Sequence, residues 1–418
     1  MTGVLIIGVL VALLALRVNL VWALIAGALL LQMTHGAGEL SYFAQDVWAA
    51  MDRQVLLAIP LFVLVGQIMA RGSIAARLVR VLVALTGHLP GGLAMATILS
   101  CAVFSAISGS SIVTMLAVGS VLYPALTKNG YSSSFAIGAL CAGGTLGIVI
   151  PPSVPMILYG IITESSIVRL FKAGVGPGIL LTLVFTVYAV AVNLDKPRLA
   201  FRWAELGGAI KDGFFAILMP VILLGGIYSG HYSPTESAAV AIGYAVLVEV
   251  LVYREMKPRD FVQTIVQSGV LVGTLFPLLA VAASVNAVLV ENQVPRLMID
   301  AALSHVESPM VFMLVVNALL LVVGCFMDTG SAIVIMAPIL KIMAQAYGFS
   351  DTHLGIIMIL NLEIGILTPP FGLNLIVAMT AFNEKFGVIV RAVIPWILLM
   401  LACLMLVILF PWIAMGLV

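Results

Sequence analysis

Four stretches of the sequence place polar or helix-breaking residues inside apolar runs, where they could bind ions. They are Ser105-Ala-Ile-Ser-Gly-Ser-Ser111, Ile150-Pro-Pro-Ser153, Met327-Asp-Thr-Gly-Ser331 and Thr368-Pro-Pro-Phe-Gly372. A helix that stops at such a break offers carbonyl groups to a small cation, and a helix that begins there offers N–H groups and a positive dipole end to an anion. Na⁺ takes oxygen ligands, which hydroxyl, carboxylate and carbonyl groups provide. The four stretches therefore predict binding of an anion together with a cation.

Three acidic residues in or near apolar runs are candidates for chemistry. Acids inside a membrane are rare and usually functional, so Asp328 is expected to have a cation-linked role, with capping of the following helix as the alternative. Glu363 lies six residues before Pro369 and could be a proton or cation site, although we favour a structural partner. Glu249 is close to the basic segment 254–259, so its side chain is expected to extend toward the membrane interface.

Other polar and small residues are interpreted as structural. Pro234-Thr-Glu236 opens a helix, where the acid complements the helix dipole. Packing glycines are expected at Gly143, Gly147, Gly174, Gly176 and Gly178, and buried free thiols at Cys101, Cys141, Cys325 and Cys403. The five His residues are scattered singly and no Walker sequence is present, which points away from a metal enzyme and from ATP hydrolysis. The net charge of +1 provides no basic field for nucleic acid.

The interruptions recur as an internal repeat. Three blocks match in the same order and at nearly constant spacing: Gly109-Ser-Ser-Ile-Val113 with Gly330-Ser-Ala-Ile-Val334, Gly130-Tyr-Ser132 with Gly348-Phe-Ser350, and Gly147-Ile-Val-Ile-Pro-Pro152 with Gly365-Ile-Leu-Thr-Pro-Pro370. Corresponding Gly/Pro interruptions in the two halves of a membrane protein are the best sequence indicator of a transport site.

The elements that position these residues are predicted to be membrane helices. Of 418 residues, 63% are hydrophobic and 9% charged, which leaves too little polar surface for a soluble globule. The runs are too long and too uniformly apolar for the strands of a barrel. Uninterrupted spans are predicted at roughly 3–33, 54–70, 171–193, 213–230, 234–253, 261–290 and 388–417, hairpins at 90–126 and 308–347, broken helices at 132–164 and 353–382, and interfacial segments at 73–88 and 294–305. The first run reads as a span rather than a cleavable signal.

The distribution of Lys and Arg predicts the orientation. Twelve of the 19 basic residues fall in the segments 71–89, 127–131, 194–212, 254–260 and 383–387. This face, and the N-terminus with it, is therefore expected to be cytoplasmic. The first hairpin would then open from the cytoplasm and the second from outside, so that the two halves are inverted. Two full spans in place of either hairpin would leave this sidedness unchanged.

With these residues in place, the chain resembles the large membrane subunit of tripartite ATP-independent periplasmic (TRAP) transporters, the DctM-like family. The matching stretches cover most of the chain. They are Ile107–Thr114, Gly130-Tyr131, Gly144–Ser153, Leu170–Gly174 with Pro177-Gly178, Pro234–Val240 and Asn361–Gly372. Val113 and Ala125 depart from the family pattern, which affects only the expected details of hairpin packing.

The resemblance implies an all-α, inverted-repeat, elevator-type transporter with two re-entrant hairpins and two broken helices. Residues 1–89 and 194–307 would form the scaffold, and the repeats 90–193 and 308–418 the moving transport domain. It also implies a secondary active importer in the bacterial inner membrane that takes up an organic anion, such as a C4-dicarboxylate, keto acid or sugar acid. Na⁺ would be the coupling ion, with no other cofactor. The implied partners are a small four-helix membrane subunit (DctQ-like) and a periplasmic substrate-binding protein (DctP-like).

By position, the resemblance also implies the binding residues of both clamshells. Substrate contacts are expected at Ser108, Ser110, Ser111, Ser153, Thr329, Ser331 and Asn374. Cation contacts are expected at Ser105, Gly109, Thr145, Pro151, Pro152, Asp328, Gly330, Gly365, Thr368, Pro369 and Gly372. No catalytic residue is expected.

Other functions remain open at this point. A stand-alone ion-coupled symporter or antiporter of the same superfamily would need no soluble receptor. An intramembrane enzyme would require a buried serine with a histidine, and the five His lie near the ends of spans, away from the serine-rich interruption. A channel would use pore-lining rings from several subunits, whereas an inverted repeat favours alternating access.

Overall fold

The computed structural model describes residues 8–9, 12–13, 16, 18, 20–36 and 39–418. The described residues are overwhelmingly helical and include no strand. Ten of the helices within these ranges are long and apolar enough to cross a membrane, which confirms a polytopic membrane protein. The predicted span 3–33 lies partly outside the described residues. Helix α1 (Leu20–His35) covers its second half and ends two residues beyond it.

The remaining helices follow the predicted order. In the first half they are α2 (Leu40–Met51), α3 (Ala58–Arg71), α4 (Ile74–Thr86), α5 (Gly92–Ser108), α6 (Ser111–Lys128), α7 (Ser133–Val149), α8 (Val154–Ile162), α9 (Ile167–Val192), α10 (Trp203–Tyr228) and α11 (Pro234–Leu247). In the second half they are α12 (Pro258–Glu291), α13 (Val294–His305), α14 (Pro309–Phe326), α15 (Thr329–Ala346), α16 (Asp351–Gly365), α17 (Leu373–Phe382), α18 (Phe386–Leu409) and α19 (Trp412–Met415).

The four interrupted stretches form two hairpins and two broken helices, as predicted. Helices α5 and α6 make the first hairpin, and α14 and α15 make the second. Helices α7 and α8 make the first broken helix, and α16 and α17 the second. The prolyl bonds at both breaks, Pro151-Pro152 and Pro369-Pro370, are cis. At the first tip Gly109 has a φ of +59°. This left-handed backbone conformation is rarely adopted by residues that have a Cβ.

Helix starts are fixed locally by side-chain caps. Six helices begin at a residue whose side chain accepts a hydrogen bond from the backbone N–H three positions later. These residues are Ser132, Ser153, Ser166, Ser233, Asp328 and Ser350. At α11 the cap is reciprocal, because Glu236 also accepts from the N–H of Ser233. The predicted role of Glu236 at this helix start is confirmed.

The most deeply buried helices are α7 and α16, the first halves of the two broken helices. In α16 every residue from Thr352 to Gly365 is buried. Helix α7 packs against α5, α6 and α18, and α16 packs against α14, α15 and α18. Glycines permit this close packing: a Cβ at Gly143 would lie 2.8 Å from the sulfur of Cys101, and one at Gly174 would lie 2.5 Å from the Met156 methyl group. The interpretation of these residues as packing glycines is confirmed.

The four cysteines are all buried and free. Cys101, Cys141 and Cys403 are at most 1% exposed, and Cys325 is 9% exposed. They behave as the predicted small apolar residues and form no disulfide.

Glu249 does not extend toward the membrane interface, so that prediction is wrong. Its side chain is fully buried, in a π-helical turn over Val248–Val252. The carboxylate accepts hydrogen bonds from the N–H of Ile74 at 2.9 Å and from the hydroxyl of Ser73 at 3.3 Å. It therefore caps the start of α4 from a distant segment, because two otherwise unpaired donors need an acceptor there.

Residues 40–51, for which the sequence predicts no element, form the helix α2. It has no buried residue, and it packs beside α12 and α1. Tyr42 and Trp48 are exposed on it, a placement typical of aromatic residues at a membrane–water boundary. Helix α13 also lacks buried residues. Helix α4 packs extensively against α10 and α5. The interfacial location of both helices stays a prediction.

Candidate functional site

A cavity of about 460 Å³ lies where the two hairpin tips meet. One wall comes from the tips and the two broken helices, and the other from α3 and α12. The residues of the first wall are 108–113 and 328–331 at the tips, with Ile148, Val154, Pro155, Leu158, Ile366, Leu373 and Asn374. The residues of the second wall are Val63, Gln67, Leu271, Thr274, Leu275 and Leu278.

The structure brings half of the predicted binding residues to this cavity. Those that line it are Ser108, Gly109, Ser110, Ser111, Asp328, Thr329, Gly330, Ser331 and Asn374. Those that do not are Ser105, Thr145, Pro151, Pro152, Ser153, Gly365, Thr368, Pro369 and Gly372. The ligand that each residue binds stays a prediction for both groups.

The predicted hydroxyl residues away from the cavity are engaged locally. Ser105 donates to the carbonyl of Cys101 at 2.5 Å, and Thr368 to that of Ile364 at 2.7 Å. Thr145 donates to the carbonyl of Ala142 at 2.6 Å. With their protons committed to the helix backbone, these oxygens offer only lone pairs, which would suit a cation and not an anion.

The first tip is held by close contacts of both its side chains and its backbone. The hydroxyls of Ser108 and Thr114 are 2.6 Å apart, and the N–H of Val154 lies 3.4 Å from the carbonyl of Gly109. Helix α7 touches the tip at Gly147, where a Cβ would lie only 2.4 Å from the Ser110 carbonyl oxygen. The position of the serines therefore depends on the absence of a side chain on α7.

At the second tip, Asp328 caps helix α15. One carboxylate oxygen accepts from the N–H of Ser331 at 2.9 Å, and the other from its hydroxyl at 2.5 Å. The capping alternative from the sequence is thus confirmed. A carboxylate can accept about four hydrogen bonds or metal contacts, so the cap leaves lone pairs for a cation, and that role stays a prediction.

A buried polar chain connects the two tips through Glu363. Thr329, from the second tip, donates to one Glu363 oxygen at 3.1 Å, and the hydroxyl of Ser111, from the first tip, faces the same carboxyl group. Asn374 donates to the Ser111 oxygen at 2.5 Å. Glu363 and Asn374 are both fully buried. Glu363 is therefore a partner of both hairpin tips. Its second oxygen has no hydrogen-bond partner among the described residues, and a role as a proton or cation site stays a prediction.

The electrostatics of the cavity are unusual for an anion site. Among the described residues that line it, Asp328 alone carries a charge, and that charge is negative. The donors that an anion could use are the hydroxyl of Ser110, the amides of Gln67 and Asn374, and the N-terminal N–H groups of α6 and α15 that no side chain caps. Any further positive charge must come from a bound cation.

The second wall of the cavity is not predicted from the sequence. Its residues belong to α3 and α12, which read as uninterrupted spans, and most of them are aliphatic. Gln67 is the residue that could have indicated this wall from the sequence. Burying an amide side chain in the middle of a span costs free energy unless the amide has a polar partner.

Comparison with known proteins gives one family and a consistent set of relatives. The family model described as the tripartite ATP-independent periplasmic transporter, DctM component, matches residues 7–413. The chain is 40% identical to the C4-dicarboxylate TRAP transporter large permease protein DctM of Pseudomonas aeruginosa, over 90% of this chain and 88% of that protein. It is 34% identical to the ectoine TRAP transporter large permease protein TeaC of Halomonas elongata, over 92% and 91%.

Among solved structures, the chain is similar to the YdaH transporter of Alcanivorax borkumensis, with a TM-score of 0.67. The match covers 92% of this chain and 90% of that one at 14% sequence identity. At that identity the similarity shows a shared fold alone.

Proposed function

Because the chain belongs to the DctM family of TRAP transporters and is a large permease of that family, we propose that it imports an organic anion by secondary active transport coupled to Na⁺. The anion would be a carboxylate such as a C4-dicarboxylate, keto acid or sugar acid. A periplasmic substrate-binding protein would deliver it, and a small membrane subunit would complete the complex in the bacterial inner membrane. One relative is named as an ectoine transporter, so ectoine should be tested alongside the carboxylates.

The single observation that carries the coupling proposal is the charge of the cavity. Among the residues that the structure describes, an anion that enters it meets Asp328 and no basic side chain. Bringing two negative charges together in a poorly solvated site is strongly unfavourable. A cation bound between the carboxylate oxygens and the helix ends would remove this repulsion. The affinities for anion and cation would then be linked, which is the requirement for symport.

The division of the cavity into two walls supports alternating access by an elevator movement. The hairpin tips and broken helices belong to the repeats 90–193 and 308–418, and the opposing wall belongs to α3 and α12. We propose that the repeats move together against that wall and carry the substrate across the membrane. A rigid pair of repeats is consistent with the buried chain through Glu363 that links their tips.

The coupling proposal predicts a Na⁺-driven uptake. The chain, its small membrane subunit and its binding protein would be reconstituted in liposomes, with a labelled carboxylate chosen by its binding to the soluble protein. Uptake with an inward Na⁺ gradient should exceed uptake with equal Na⁺ on both sides by at least about tenfold. A rate that does not respond to the gradient would contradict the coupling. Full uptake without the binding protein would favour the alternative, a stand-alone ion-coupled symporter or antiporter.

Asp328→Asn is expected to raise the half-saturating Na⁺ concentration at least fivefold. Asparagine is as good an N-cap as aspartate, so α15 should keep its start while the site loses one negative charge that attracts a cation. The measurement is the initial uptake rate against Na⁺ concentration at saturating substrate. Asp300→Asn, a matched change at an exposed position on α13, should leave the curve unchanged. An identical Na⁺ dependence in Asp328→Asn would remove Asp328 from the cation site.

A further inference from the structure

Helix α3 lies outside the two repeats but touches both the cavity and the first tip. Val63, Gly66 and Gln67 fall on one face of this helix, at spacings of three and four residues. Val63 and Gln67 line the cavity. At Gly66 the helix meets the tip directly, since a Cβ there would lie 2.6 Å from the carbonyl oxygen of Ser108. In this conformation α3 therefore forms part of the binding site.

Gln67 is the polar side chain of this wall that remains available to a ligand. It is partly exposed to the cavity, and it makes no hydrogen bond to any described residue. By contrast, the hydroxyl of Thr274, on α12, donates to the carbonyl of Leu271 at 2.7 Å. The amide of Gln67 has two N–H donors. A carboxylate oxygen in the cavity is the acceptor that fits them.

We propose that Gln67 is a one-sided substrate contact, which donates to the carboxylate only while the first tip lies beside α3. This inference rests on the proposed function, because it requires the repeats to move relative to α3. When they move, the tip serines and Asn374 travel with the substrate and Gln67 stays behind. The substrate then makes one more hydrogen bond in the conformation shown here than in the conformation that opens to the other side of the membrane. This additional hydrogen bond stabilises the conformation shown here.

The consequence is an asymmetry in apparent affinity without a change in the driving force. A contact in only one conformation alters the half-saturating substrate concentration on the side to which that conformation opens. It cannot alter the final accumulation ratio, which the ion gradient and the stoichiometry determine. A residue needed only for folding would change the amount of active protein and leave both half-saturating concentrations as they were.

The test uses Gln67→Leu in the complete reconstituted transporter. External half-saturation is measured by uptake, and internal half-saturation by exchange against substrate loaded inside the liposomes. We expect one of the two to rise about tenfold, as for a lost hydrogen bond to a charged group, and the other to stay within twofold. The final accumulation ratio should not change. Gln67→Met, which keeps the length of the side chain, should behave in the same way if the leucine variant is poorly produced.

Gln45→Leu is the matched control, because it makes the same substitution at an exposed position of α2 away from the cavity. Equal shifts on both sides would overturn the inference, since Gln67 would then accompany the substrate throughout. Unchanged values on both sides would also overturn it, since no contact would exist. Neither result touches the proposed function, which fails only if the unaltered transporter shows no Na⁺-dependent uptake.

Discussion

Replacement of Glu363 by leucine should lower the uptake rate by about a hundredfold or more. The carboxylate accepts the Thr329 hydroxyl at 3.1 Å and faces that of Ser111, so its loss leaves two buried donors without an acceptor. Each such donor costs about 1–3 kcal/mol, and 1.4 kcal/mol corresponds to a factor of ten. The two hairpin tips would lose their common partner and, with it, their relative position across the cavity.

The comparison with Glu363→Gln separates geometry from charge. A glutamine oxygen can still accept from Thr329, so we expect a loss of about tenfold, much smaller than that for leucine. Both variants are measured as initial uptake per amount of folded protein after size-exclusion chromatography. Glu291→Leu, at the exposed end of α12, should retain the uptake of the unaltered chain. If the uptake rate of Glu363→Leu lies within threefold of that of the unaltered chain, the position of the tips does not depend on this carboxylate.

The second large effect is expected from Gly147→Ala. The added methyl group would lie 2.4 Å from the Ser110 carbonyl oxygen and 2.6 Å from the Thr114 hydroxyl, both far inside van der Waals contact. Overpacking of this kind costs about 1–3 kcal/mol. Since the tip backbone must shift, the serines that face the cavity should shift with it, and uptake should fall close to background.

Gly269→Ala is the control for this prediction. A Cβ at Gly269 on α12 would meet no atom within 4 Å, so the same substitution adds helix propensity without a clash. The thermal midpoint of the purified protein and the uptake rate are measured for both variants. A lower midpoint and lost uptake in Gly147→Ala alone are expected. Equal behaviour of the two would mean that α7 does not set the position of the first tip.

The architecture was largely predictable because its signals are local. Glycine at the first tip, the Pro-Pro pairs at the breaks and the serine caps each act within a few residues of their own position. Because these signals recur in two halves of the sequence, they also predict the order of the hairpins and broken helices in each half. The inference needed only the length of the apolar runs and the conformational limits of Gly and Pro.

The parts of the site that were not predicted depend on contacts distant in sequence. Glu363 meets Thr329 34 residues away, and Asn374 meets Ser111 263 residues away. Glu249 was misplaced for the same reason, since its partner Ile74 lies 175 residues away. A carboxyl group in an apolar segment signals that a partner exists, but only the tertiary packing shows which donor it is.

The burial of the four native thiols has a practical consequence for labelling experiments. A water-soluble maleimide would find Cys101, Cys141 and Cys403 inaccessible and Cys325 nearly so. A cysteine introduced on the surface of the otherwise natural chain would therefore be the principal reactive position. Fluorophores or spin labels could be placed in pairs on the exposed faces of α2 and α9 without first removing the native residues. The distances between such labels would test the proposed motion of the repeats during a transport cycle.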